Sequence, residues 1–213
     1  MSEDLRSEDL RIAAIIPVAA IEEAKTRLGE SLDAEERRDL VERLLDRTLA
    51  AALGVDRLAD ILVVSPDHEV LARAARAGAR TLRQRTVGLN AGVAEARDDA
   101  IAGGTDVIVV LPIDLPFVTA AAIGDVLAAL GGRDAAVALT TDRHGTGTNA
   151  LALRPPDVID FAFGPGSRAA HRAAAERAGA TYREVPGPLT VDLDTPDDLI
   201  YVESLEPEHL DVV

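Results

Sequence analysis

Three aspartates in this chain stand where hard-oxygen chemistry is a natural reading. Asp114 lies between two prolines in Leu111-Pro112-Ile113-Asp114-Leu115-Pro116, at the end of the apolar run Asp106–Leu111. A carboxylate on so stiff a backbone suits Mg²⁺ shared with phosphates, and it equally suits an Asx-turn or the acid ahead of a helix. Asp192 and Asp194, in Val191-Asp192-Leu193-Asp194-Thr195-Pro196, recur at a period of two and so share one side of an extended strand. A helix capped by Thr195, with Pro196 first and acids in its first turn, accounts for Thr195 to Asp198. It leaves Asp192 and Asp194 as partners for Asp114 in a metal site.

The remaining polar residues of interest suit anions. Lys25 is the only lysine among 22 basic residues and stands beside Thr26 and Arg27; a compact ammonium suits a phosphate, a solvated loop cation being the plainer reading. In Thr140 to Asn149, two glycines alternate with threonines, Gly145-Thr146-Gly147-Thr148, so that backbone N–H groups and hydroxyls could approach an anion; a hairpin turn is the alternative. Arg143 adds a guanidinium fork. Phe163-Gly164-Pro165-Gly166-Ser167 opens a helix, and a helix N-terminus either attracts an anion or is simply capped. Neither GxGxxG nor GxxxxGK[ST] occurs.

Composition removes several classes. The 213 residues carry a net charge of −15, are 2% aromatic and include no Trp, which argues against a phosphate-backbone or base-stacking binder of nucleic acid. With no Cys, disulfides, thiolate metal sites and a cysteine nucleophile are excluded. No run approaches the roughly 18 apolar residues of a membrane span. The repeated Ser-Glu-Asp-Leu-Arg of residues 2–11 lacks the apolar core of a signal peptide. The expectation is a cytoplasmic protein with a disordered leader over residues 1–11, one domain over 12–205 and a tail over 206–213.

The elements that must hold these loops follow from periodicity. Strands are expected at Ile12–Val18, Asp60–Ser65, Arg80–Leu82, Asp106–Leu111, Ala135–Leu139, Asn149–Leu153 and Thr181–Val185, with a strand tip at Asp192. Helices are expected at Ala34–Leu53, Asp67–Ala77, Asn90–Ile101, Thr119–Leu130, Ser167–Ala178 and before Leu205. Apolar runs alternating with helices imply βαβ crossovers, hence a three-layer α/β/α sandwich with a mostly parallel sheet. Ligands of such sheets bind outside the carboxyl ends of the strands, where the loops above fall.

Taken together the motifs resemble a known family. Asp114 with Asp192-Leu193-Asp194-Thr195-Pro196 resembles nucleotidyltransferases of GT-A-like fold. Pro17, Ala24 to Leu28, Gly88-Leu89-Asn90, Asp142 to Leu151 and Phe163 to Ser167 narrow this to the guanylyltransferase family of coenzyme F420 biosynthesis, CofC or FbiD. The likeness runs from Ile12 to Leu205 and departs from the family at Ala19, where a basic residue is expected. It implies GMP transfer from GTP to the phosphate of phosphoenolpyruvate or 2-phospholactate, a small phosphorylated carboxylic acid, with release of pyrophosphate. It further implies Mg²⁺ on Asp114, Asp192 and Asp194, and nucleotide contacts from Pro17, Lys25, Arg27, Gly88 and Asn90. Lys25 and Asp114 would be catalytic, and Thr148, Gly164 and Ser167 would hold the acid. The product would pass to the next enzyme of the F420 pathway. A homodimer is compatible with the sequence and not required by it. Rival readings are a molybdenum-cofactor guanylyltransferase or cytidylyltransferase, disfavoured by a first loop without Gly, and a non-catalytic nucleotide-sensing module.

Overall fold

The computed structural model describes residues 10–20, 28–29 and 31–205. Lys25 and Arg27, most of the expected leader and the tail lie outside these residues. Leu10 and Arg11, at the end of the expected leader, are described, and Arg11 is already tied to the fold: its N–H donates to Asp106 Oδ2 at 2.9 Å and its carbonyl accepts from the N–H of Asp106.

Among the described residues seven strands form one sheet: β1 (Ile12–Pro17), β2 (Leu58–Ser65), β3 (Arg80–Arg83), β4 (Val107–Val110), β5 (Ala136–Thr140), β6 (Ala150–Arg154) and β7 (Thr181–Glu184). Six α-helices accompany them among the described residues: α1 (Ala34–Leu53), α2 (His68–Arg76), α3 (Leu89–Ala102), α4 (Ala120–Ala128), α5 (Ser167–Arg177) and α6 (Pro196–Leu205). The spatial order is β3-β2-β1-β4-β6-β5-β7. All neighbours run parallel except β6, which is antiparallel to both β4 and β5. Its reversal follows from its connection: residues 141–149 are too few for the crossover a parallel pair needs.

Alternation along the strands sends side chains to two cores. Ile12, Ala14 and Ile16 of β1 join one with α1, α2, α4 and α6, while Ala13 and Ile15 join the other with α3 and α5. Strands apolar on both faces are what this three-layer packing demands, and each fully buried Leu or Ile contributes roughly 1.5–3 kcal/mol. Helix starts are chemically specified. Asp33 and Glu36 form a reciprocal capping box on α1, and Thr119 Oγ1 accepts from the N–H of Ala122 on α4.

From β1 the chain steps outward through β2 to β3, then returns to the far side of β1 as β4. The order reverses between β1 and β4, which places the crevice of an open α/β sheet beside the carboxyl ends of these two strands.

One expectation needs correcting. Asp192 is not on a strand of the sheet; residues 191–195 run without a ladder between a short 3₁₀ turn, Pro188–Thr190, and α6. The side-chain alternation nonetheless holds, since Leu193 is fully buried while Asp192 and Asp194 on either side of it are half-buried.

Candidate active site

Two adjoining cavities open at this crevice. The larger, of about 440 Å³, is lined by Asp114, Asp142, His144, Thr146 to Asn149, Phe163 to Pro165, Ser167, Asp192, Asp194, Thr195 and Asp198, among others. The smaller, of about 320 Å³, is lined by Pro17 to Ala20, Pro66, Gln84 and Thr86 to Leu89. Leu89 belongs to both walls.

Asp114, distant in sequence from Asp192 and Asp194, therefore shares one cavity with them. The loop after β4 is fixed by Leu111 N–H to Ile15 O at 2.9 Å and by Arg47 Nη1 to Pro116 O. The N–H of Leu193 donates to the carbonyl of Asp114 at 2.9 Å, tying the two acidic segments together. Asn149 holds the second segment from beneath, its Nδ2 donating to Leu189 O at 3.0 Å and, longer, to Asp192 Oδ1 at 3.4 Å. Burial foremost, then the Asp114 carboxylate and to a lesser degree Asp194 and Asp198, push the Asp192 carboxyl up to about 6 against the lowering hydrogen bond from Asn149. A cation answers such crowding.

Among the described residues no three His, Cys, Asp or Glu form a ready-made metal cage. The donor set still fits Mg²⁺, which characteristically takes one or two carboxylates and fills its octahedron with water and substrate phosphates. No Lys or Arg among the described residues lines this cavity.

The Gly-Thr loop differs from expectation in one respect. Its first anion is its own: Asp142 accepts from Thr146 N–H at 2.7 Å and Thr146 Oγ1 at 3.2 Å. Burial pushes the Asp142 carboxyl up, but these donors, with the Gly147 N–H, hold it below the ordinary carboxylate value. Gly147 is required there, because a Cβ would lie 2.9 Å from Asp142 Oδ2. Thr148 emerges from this loop into the cavity, its Oγ1 3.0 Å from His171 Nδ1. Arg168 fastens the loop to α5 through Gly145 O at 2.9 Å and is itself held by Glu184.

Gly166, at φ +75°, occupies the left-handed turn that starts α5. Ser167 follows, 1% exposed and lining the cavity, with an Oγ that has no hydrogen-bond partner. A buried hydroxyl in that condition is a donor waiting for a ligand or water. Gly164 lies on the same wall.

Of the expected nucleotide contacts, Pro17 and Gly88 line the smaller cavity, as does Ala19. Gly88 has φ +99°, which a side chain would strain. Glu95 shapes the neighbouring loop, accepting from the N–H groups of Arg85 and Thr86 and from Thr86 Oγ1. Asn90 is placed differently from expectation. Its carboxamide is spent on Phe163, Nδ2 donating to the carbonyl at 3.0 Å and Oδ1 accepting from the N–H at 2.8 Å, and it lines neither cavity.

Two residues were missed by sequence reasoning. Asp198 looks like one more helix-start acid, yet it is 5% exposed and accepts from Thr195 N–H, Thr195 Oγ1, Asp194 N–H and the Arg143 guanidinium, whose Nη2 is 2.6 Å away. Arg143 is thereby committed, with its guanidinium 5.1 Å above the Tyr201 ring. Burial raises the Asp198 carboxyl, and the four donors reverse this to a net lowering. The second is His171, fully buried on the stripe Ser167-His171-Ala175 of α5; a histidine in an inward row of small residues was the available signal.

Residues 12–203 match the family described as guanylyl transferase CofC like. The chain belongs to that family. Among CofC-like relatives it is 47% identical over 188 residues to a phosphoenolpyruvate guanylyltransferase of Sphaerobacter thermophilus, covering 87% of this chain and 89% of the relative. It is 40% identical over 196 residues to the protein of that name from Rubrobacter xylanophilus, covering 92% and 95%. The CofC-like fold is also that of a candidate nucleotide-diphospho-sugar transferase from Desulfovibrio desulfuricans G20, with TM-score 0.76 and 19% identity, covering 99% of this chain and 90% of that one.

Proposed function

We propose that this protein transfers GMP from GTP to the phosphate of phosphoenolpyruvate, releasing pyrophosphate, as a step of coenzyme F420 biosynthesis. The observation that carries the reading is the shared cavity, lined by Asp114 and Asp192 together with Thr148 and Ser167. The curated relatives named for this activity support the choice of acid and nucleotide.

In this reading the smaller cavity receives the nucleoside, bounded by Pro17 and Gly88. The larger receives the acid, with donors from Thr148, Ser167 and the Gly164 segment. A phosphate oxygen of the acid attacks the α-phosphorus, and the bond to the bridging oxygen of pyrophosphate breaks opposite to it. That oxygen is already ionised near neutral pH, so no general base is needed. Asp114 and Asp192, with Asp194 beside them, would hold Mg²⁺, which when bound supplies charge neutralisation between anions that otherwise repel. Lys25 and Arg27 would meet the leaving phosphates. The diphosphate product would pass to the next enzyme of the pathway.

The test is pyrophosphate release measured across four nucleoside triphosphates and three acids (phosphoenolpyruvate, 2-phospholactate and 3-phosphoglycerate), with and without Mg²⁺. The expected result is turnover confined to GTP, greatest with phosphoenolpyruvate and lost on chelation. Release that no acid accelerates would refute the reading.

A further inference from the structure

His171 makes no contact with the proposed reaction, yet it is fully buried behind the wall that carries Thr148 and Ser167. Both of its ring nitrogens are engaged. Nε2 lies 3.0 Å from the backbone nitrogen of Ala162, and Nδ1 lies 3.0 Å from Thr148 Oγ1. The edge of the ring meets Phe163 at a centroid distance of 5.2 Å and an angle of 73°, so its plane is fixed by packing.

These contacts settle the tautomer. A backbone N–H can only donate, so Nε2 must accept from Ala162, and in a neutral ring the single proton then resides on Nδ1. Protonating both nitrogens would set N–H against N–H at Ala162. Burial favours the neutral ring independently, pushing its pKa down to about 4.

We infer that His171 is a positioning residue, whose Nδ1–H donates to Thr148 Oγ1 and so turns the Thr148 hydroxyl proton outward as a donor to an anionic oxygen of the acid substrate. The opposite tautomer would consume that proton and present oxygen lone pairs to the anion. Ser167, whose buried Oγ has no protein partner, supplies the second hydroxyl at the same place. The inference rests on the reading above that the acid binds here.

The test has two parts. On the wild-type protein, ¹⁵N NMR of labelled histidine, simplified by a chain with 4 His, is expected to show His171 protonated on Nδ1; a proton on Nε2 overturns the inference. In the pyrophosphate-release assay, His171→Leu is expected to raise KM for phosphoenolpyruvate by about tenfold to a hundredfold, the range of one hydrogen bond to a charged group, while KM for GTP stays within about twofold. His171→Asn, whose amide N–H replaces Nδ1–H, should restore KM to within about threefold of wild type. Thr148→Val should match His171→Leu, and the double variant should lose no more than either, because both act through one hydroxyl. Should His171→Leu fail to fold, the NMR result and the His171→Asn and Thr148→Val comparison decide. Wild-type KM for the acid in folded His171→Leu, or additive losses, would overturn the inference while leaving the proposed reaction standing. A wild-type protein without turnover on GTP and phosphoenolpyruvate would remove both.

Discussion

The N–H of Leu193 and the carbonyl of Asp114 are 2.9 Å apart, joining two loops that lie 79 residues from one another along the chain. The bond is between backbones, so the carboxylates that flank it are placed by the fold itself, and substituting one of them leaves the tie intact.

Asp114→Asn is accordingly expected to fold with a melting temperature within a few degrees of wild type. Turnover should fall by about a thousandfold, the several kcal/mol that a metal-held charge contributes. Pyrophosphate release and thermal unfolding on the same preparation check this. Wild-type turnover would remove Asp114 from the reaction and favour a nucleotide-sensing module.

Asp192→Asn should separate stability from activity. The Asp192 carboxyl is raised from 3.8 to about 6, foremost by burial and then by Asp114. Between those values the folded protein keeps a proton that the unfolded chain releases, so stability falls as pH rises through this window. Well above pH 6 the cost of the buried charge and its repulsion by Asp114 is fully present. Removing the charge should stabilise the metal-free protein at pH 8 by about 1 kcal/mol, allowing for solvent screening, with no gain at pH 4. Turnover should nevertheless drop. Urea unfolding at both pH values tests the sign.

Asp198→Ala should be costly for a structural reason. It leaves Arg143 without its partner and strips the acceptor from two backbone N–H groups, for a loss of about 3 kcal/mol. A urea midpoint close to wild type would contradict the buried network.

Acid should weaken the protein through His171. Its pKa falls from 6.5 to about 4 on burial, so the unfolded chain takes up a proton that the native state excludes. Stability then declines as pH drops from about 6.5, by roughly 3 kcal/mol at pH 4. His171→Asn cannot titrate and should lose less over that interval. Parallel urea titrations at pH 7 and 4.5 would show the difference.

Gly147→Ala would place a Cβ 2.9 Å from Asp142 Oδ2, against a carboxylate locked by Thr146. The loop must shift, carrying Thr148 with it. KM for the acid should rise by about tenfold, equivalent to the loss of one modest hydrogen bond. An unchanged KM would show that the loop gives way elsewhere.

The sheet was legible because its central strands are apolar on both faces, as Ile12 to Ile16 and Val107 to Val110 show. That Asp114 and Asp192 share a cavity was legible because capping could not explain Asp192. Asp198 was not, since a local role at the helix start already accounts for its type; only the fold brings Arg143 to it. His171 was hidden for a related reason: its partners, Ala162 and Thr148, are distant and carry no pattern that points back to it. Asn90 shows the converse, because its side chain, expected to contact the nucleotide, braces the Phe163 loop instead.

That brace reaches further than its two hydrogen bonds. Asn90, in the first turn of the helix behind Gly88, grips the peptide of Phe163 just before Gly164, so the walls of the two cavities are tied to one another. If the acid and the nucleotide bind as proposed, the spacing between attacking oxygen and receiving phosphorus would be set when the chain folds. The reactants would still lose their own entropy on binding, but the protein would have little of its own structure left to order while aligning them.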